Sequence, residues 1–155
     1  MRILVVSDTH GDTQSFKKVL DNSRDAEVVI HCGDGAAEVE YLRSYYPEKM
    51  FISVKGNCDL CCEAPNVEVR SIEGKKLFIT HGNMYGVKSG LYTLSCAARQ
   101  EGADIAIFGH THVPCEIYDD GLYLFNPGSL RGYGGSYGYI DISPKGVLTN
   151  IVRKN

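Results

Sequence analysis

Seven side chains with metal-binding lone pairs fall in five short motifs: "DTHG" from position 8, "GDG" from 33, "GNCD" from 56, "HGN" from 81 and "GHTH" from 109. They are Asp8, His10, Asp34, Asn57, His81, His110 and His112. Seven donors exceed what one tetrahedral zinc takes, and they suit two divalent ions that share a carboxylate. Mixed imidazole, carboxylate and amide donors favour Mn, Fe, Zn, Co or Ni over Ca or Mg alone. In extended chain, residues i and i+2 face the same way, so Asp8 with His10, and His110 with His112, are each expected to aim together into one site. The adjacent glycines let the backbone turn sharply and approach an ion or a phosphate.

What must position them is the stretch before each motif. Five apolar runs, "RILVVS" (2–7), "AEVVIHC" (26–32), "KMFISVK" (49–55), "KKLFIT" (75–80) and "ADIAIF" (103–108), end where the motifs begin. Near-continuous apolar runs of this length predict strands buried on both faces. Helical spacing lies between several of them. Asp12 is placed to cap a helix carrying Phe16, Val19 and Leu20, and Val39, Leu42 and Tyr45 mark a second. A third is expected from about Ser89 to Gly102, with Leu91, Leu94 and Ala98 on one face. This alternation predicts right-handed crossovers and a parallel sheet, whose carboxyl-end loops converge on one crevice. The last third instead reads as short strands separated by turns, "VPCEIYDD", "GLYLFNPGS", "YGYIDISPKG" and "VLTNIVRK". The expected architecture is an α/β sandwich with a parallel half, an antiparallel half and helices outside.

Composition bounds the rest. At 155 residues and 43% hydrophobic content, the chain is read as one domain spanning 1–155. A net charge of −3 gives no electrostatic footprint for bulk nucleic acid, and no run approaches a membrane span. With no secretory signal evident, the reading is a cytoplasmic protein whose six cysteines, Cys32, Cys58, Cys61, Cys62, Cys96 and Cys115, stay reduced. Small size and many apolar β segments are compatible with a homodimer. Cys58 and Cys61 form a CxxC, but a structural zinc site needs a second pair, and a redox pair needs a helix start where "CDLCCEAP" runs into Pro65 and a strand. His31, inside an apolar run, is read as a packed histidine and not a ligand.

The ordered set DTH, GD, GNCD, HG, GHTH, followed by "NPGS" at 126–129, resembles the calcineurin-like metallophosphoesterases, and most of all their small YfcE-like phosphodiesterase branch. That resemblance implies a four-layer αββα sandwich of two mixed sheets flanked by helices. It implies one metal held by Asp8, His10, Asp34 and His112, and another by Asp34, Asn57, His81 and His110, with Asp34 bridging. It also implies a phosphodiesterase that works by in-line attack of a bridging hydroxide on a small phosphodiester. Asp34, Asn57 and His110 would be catalytic, with Asn57 also at the substrate; Arg131, just after "NPGS", reads either as a charge that binds substrate or as a solvated surface charge. Manganese is the expected metal, with iron, zinc, nickel or cobalt as alternatives.

Two positions depart from the pattern. Cys58 stands where many relatives carry a histidine credited with protonating the leaving oxygen, the next residue, here Asp59, orienting it. Asn83 stands where the motif often reads HGH. The competing class is an interaction scaffold, since the retromer subunit of the same fold resembles this chain in size. Its metal set is degraded, whereas all seven positions are filled here.

Overall fold

Three helices cannot cover both faces of one five-stranded sheet, so the chain builds two sheets that cover each other. The structure, a computed structural model, describes residues 1–154. In order the elements are β1 (Arg2–Val6), α1 (Thr13–Asn22), β2 (Val28–His31), α2 (Ala36–Arg43), β3 (Met50–Ser53), β4 (Val67–Ile72) and β5 (Lys75–Thr80). They continue with α3 (Tyr92–Gln100), β6 (Ile105–Ile107), β7 (Cys115–Asp119), β8 (Leu122–Asn126), β9 (Ser136–Ser143) and β10 (Gly146–Arg153). The first sheet runs β10-β9-β1-β2-β3 and the second β4-β5-β6-β8-β7.

The expectation of a parallel half and an antiparallel half is corrected. Both sheets are mixed: β1, β2 and β3 pair in parallel, as do β5, β6 and β8, while β9 with β10, β4 and β7 add antiparallel margins. Three of the five apolar runs enter one sheet and two the other. A strand buried on both faces looks the same whether a helix or a second sheet covers it.

Alternation along each strand assigns the layers. Ile3, Val5, Ile30 and Ile52 meet Leu77, Ile79, Ile105, Ile107 and Phe125 between the sheets. Leu4, Val6 and Val29 point outward onto Phe16, Val19 and Leu20 of α1 and Val39 and Leu42 of α2. Phe78, Ala106 and Leu124 take Leu94 and Ala98 of α3. Each fully buried side chain of this kind contributes about 1.5–3 kcal/mol. The order of layers is therefore helix, sheet, sheet, helix.

Helix α1 starts as its sequence predicts, with Asp12 Oδ1 accepting the Ser15 N–H at 3.1 Å. Burial alone would raise the Asp12 carboxyl, but donors from Ser15 and Gly132 and the charge of Lys154 hold it at about 2. Helix α2 stops at Arg43, two residues short of the expected Tyr45, which is exposed. Helix α3 begins at Tyr92, after Leu91, and not at Ser89. No described helix is long and apolar enough to cross a membrane.

Buried beside the first sheet is a polar chain that starts at His31. Its Nδ1 accepts the Gly33 N–H at 3.1 Å, so Nε2 carries the proton and faces Thr9 Oγ1 at 3.1 Å, and that hydroxyl donates to Glu38 Oε1 at 2.8 Å. Burial lowers the His31 pKa from 6.5 to about 4. A histidine with a depressed folded pKa contributes stability that is present above 6.5 and is lost as pH falls from there toward 4. Unfolding in urea at pH 7 and pH 5 should therefore differ by about 2 kcal/mol, most of it absent in His31→Gln. Equal losses in the two proteins would show that His31 is not the group responsible.

Candidate metal centre

The five motif loops all leave the same end of the sandwich, where Asp8 N donates to Gly33 O, His10 N to Asp34 O and Gly109 N to His81 O. Backbone pairing within each sheet thus joins DTHG to GDG and HGN to GHTH, and the His110 N–H donating to Asp8 Oδ2 at 3.1 Å ties the two pairs together. Within this crevice the left-handed backbone is unusually common. Asp8, His10, Asp34, His110 and His112 have φ between 44° and 67°, and they are five of only eight non-glycine residues with positive φ among those described. Such conformations cost about 1–3 kcal/mol each and persist where the surroundings impose them, typically at functional sites.

The expectation that i and i+2 partners aim together holds for Asp8 and His10, whose Oδ1 and Nε2 lie 3.7 Å apart, and is corrected for His110 and His112. Strand β1 has ended before Asp8, and β6 before His110, so extended-chain alternation does not apply. Within the GHTH loop the two histidines diverge. His112 Nε2 lies 3.3 Å from His10 Nε2 and 3.1 Å from Asp8 Oδ1, while His110 Nδ1 lies 3.1 Å from His81 Nε2. Asn57 joins the second group, its Oδ1 3.0 Å from His81 Nε2. One carboxylate oxygen stands between the groups: Asp34 Oδ2 is 3.8 Å from His10 Nε2 and 3.4 Å from His81 Nε2. All seven donors predicted from sequence are in or beside this crevice, and Arg131 lines the groove that opens from it.

Whether these groups suit metal ions can be tested on their lone pairs. His81 Nδ1 is 2.7 Å from the Cys32 carbonyl, which can only accept, so Nδ1 carries the proton. The bare Nε2 of a neutral His81 then faces two further acceptors, Asn57 Oδ1 and Asp34 Oδ2, and such lone pairs repel unless a cation lies among them. Asp8 gives the same answer. Its Oδ2 accepts from Ser7 Oγ and the His110 N–H, but Oδ1, fully buried, has no hydrogen-bond partner, the approach of His112 lacking hydrogen-bond direction. A buried, unpartnered carboxylate oxygen costs several kcal/mol unless a cation meets it. Burial, with His81 and Lys88 nearby, also holds the His110 imidazole below its ordinary pKa. The donor set fits divalent cations.

Several residues that the sequence left without a role hold these donors in place. Asp59 is the most connected. Its two oxygens accept from Asp34 N at 2.7 Å, Gly35 N and Ala36 N at 3.0 Å, and Gly56 N at 2.9 Å, tying the GNCD loop to the GDG loop at the start of α2. Burial raises its carboxyl, but the N–H donors outweigh this and leave it below the usual value. Asp59 therefore orients backbone, and not a neighbouring side chain as the resemblance implied. Glu38 accepts the Gly11 N–H at 2.6 Å and braces the DTHG loop. Asn126 Nδ2 donates to Gly109 O and Thr111 Oγ1, and Ser129 Oγ to Asp8 O, so the "NPGS" segment braces two motif loops. Gly56 allows the close approach, since a Cβ there would collide with the backbone and carboxylate of Asp34.

Residues 1–144 match the model of the calcineurin-like phosphoesterase superfamily domain. The chain belongs to this superfamily. Among curated members, it is 30% identical over 132 residues to the probable metallophosphoesterase YsnB of Bacillus subtilis, covering 84% of this chain and 76% of that one. To the phosphodiesterase YfcE of Escherichia coli it is 28% identical over 169 residues, covering 91% and 88%. Its fold also matches a solved structure of a Vps29 single mutant from Entamoeba histolytica, with a TM-score of 0.78, 25% identity and full coverage of both chains. In this member of the superfamily, then, the two mixed sheets with outer helices match the fold of its structural neighbours, and the crevice lies at the loops that carry the five motifs.

Proposed function

We propose that the chain is a dimetal-dependent phosphodiesterase working as a single domain over 1–155. One ion is assigned to Asp8, His10, Asp34 and His112, the other to Asp34, Asn57, His81 and His110. The observation that carries this reading is Asp34 Oδ2, within 3.8 Å of one donor group and 3.4 Å of the other. The phosphodiesterase name of YfcE supports the reaction class. Manganese is the metal we assign, with iron, zinc, nickel or cobalt as substitutes. The cytoplasm, where unpaired thiols persist, is the assigned compartment.

When bound, two such ions supply a water of lowered pKa and positive charge against the phosphoryl oxygens. The protein's own part is orientation. The Cys32 carbonyl fixes the His81 tautomer, and Asp34 holds the two donor groups in register through its bond to the Cys58 N–H, 2.7 Å. A groove of about 1130 Å³ leads away from His10 and Asp34 between α2 and residues 58–65, wide enough for a small phosphodiester. Arg131 on its wall is assigned to the non-bridging oxygens, where a guanidinium pairs well with phosphate. Asn57, with its Oδ1 3.0 Å from His81 Nε2, is assigned to the substrate from the metal side.

Cys58 stands where a protonating imidazole would, so leaving groups that need a proton should suffer. General-acid help amounts to about 10²–10⁴ in rate. With manganese supplied, an aryl diester such as bis(4-nitrophenyl) phosphate should turn over at least tenfold faster than a dialkyl diester, and Cys58→His should narrow the gap. Comparable rates on both esters would overturn this account of the position. The scaffold reading, kept in view by the Vps29 likeness, predicts no turnover in the same assay whether or not metal binds.

A further inference from the structure

Cys58 has no role in the reading above beyond replacing a histidine, yet its thiol is poorly placed to be a bystander. Its Sγ, a ligating nitrogen of His10 and a carboxylate oxygen of Asp34 all lie within 4.8 Å of one another. Donors around a tetrahedral zinc sit roughly 3–4 Å apart, so small side-chain rotations close this cluster. The backbone under Cys58 is pinned to the same carboxylate by the bond from its N–H to Asp34 Oδ1. The side chain itself is exposed, and Asn57 Nδ2 donates toward its Sγ at 3.5 Å. A second observation also points to a cation here: the unpartnered, fully buried Asp8 Oδ1 lies 3.7 Å from His10 Nε2. Among the described residues, Cys61 and Cys62 belong to no such cluster.

We propose that Cys58 is a thiolate donor that, with His10 and Asp34, turns one of the two metal positions into a site for thiophilic divalent ions, zinc, cobalt and cadmium. The inference rests on the dimetal reading and adds a soft ligand to it. As the sulfur–metal bond forms, the thiol proton passes to solvent, so binding of these ions releases one proton more than binding of manganese. Soft thiolate selects soft ions, whereas oxygen and imidazole donors discriminate less. Sulfur in this position therefore sets which ion is retained, separately from which ion supports turnover.

Cobalt titrated into the metal-free protein tests this by absorption. The expected result is a near-ultraviolet sulfur-to-cobalt charge-transfer band in the wild type that C58S lacks while still binding cobalt. Cadmium affinity should fall about tenfold or more in C58S, with manganese affinity changed less than about threefold. Should C58S fail to fold, cadmium protection answers the question in the wild type: bound cadmium should block alkylation of Cys58 by iodoacetamide, read by peptide mass spectrometry, and leave Cys61 and Cys96 reactive. Cobalt binding without the band, or Cys58 alkylated at full rate with cadmium bound, would overturn the thiolate ligand and leave the dimetal reading standing. A wild type that binds no cobalt at all would remove both.

Discussion

Asp34→Asn is expected to lower kcat/KM on an aryl phosphodiester by about 10³-fold or more, equivalent to about 4 kcal/mol of lost transition-state stabilisation. The exchange keeps shape and hydrogen-bonding length but removes the charge and one acceptor from the atom position shared by both donor groups. Bound metal should drop from two equivalents to at most one. The fold should survive, because Asn tolerates the left-handed backbone that Asp34 adopts at φ 59° better than most residues. Without metal, the variant should melt close to the wild type, since the Asn Oδ1 can keep the bond from the Cys58 N–H while the charge at the Oδ2 position is removed. A variant that keeps two ions and activity within tenfold would show that Asp34 is not shared.

The second large effect is expected at a residue that touches no substrate. Asp59→Ala removes the acceptor for four backbone N–H groups at once, on Asp34, Gly35, Ala36 and Gly56. Each buried donor left unpaired costs about 1–3 kcal/mol, and water entering the half-open loop offsets part of this, so a net loss of about 3 kcal/mol is expected. Metal affinity should fall by about 10–100-fold, the usual consequence of deleting a group that orients the ligands. Asp59→Asn, which keeps one oxygen acceptor, should recover part of both. Asp59 is a positioning residue, so saturating metal should restore kcat in Asp59→Asn to near the wild-type value. A kcat deficit that excess metal leaves untouched would instead put Asp59 in the chemistry.

The seven donors were legible because each follows an apolar run, and apolar runs are the strongest signal a buried strand leaves in sequence. The converging ends of those strands did the rest. Two sheets were expected, but which strands enter which sheet was not legible, because Ile3 faces a sheet and Leu4 a helix, yet both read as buried apolar residues. Nor were the directions of His110 and His112, since both adopt left-handed backbone, which the strand pattern before them does not signal. Nothing in the sequence marks Glu38, and Asp59 stands out there only as the residue after Cys58. Only their partners, backbone N–H groups far along the chain, reveal what they hold. His31 is the opposite case: its place inside an apolar run already marked it as packed, and its bonds to Gly33 and Thr9 agree.

Anomalous diffraction from crystals grown with manganese is the most direct test of whether these donors form one binuclear centre. Two peaks about 3.5–4 Å apart are expected, one beside Asp8, His10 and His112 and the other beside Asn57, His81 and His110, with Asp34 touching both. A single peak, or two peaks neither of which contacts Asp34, would contradict it.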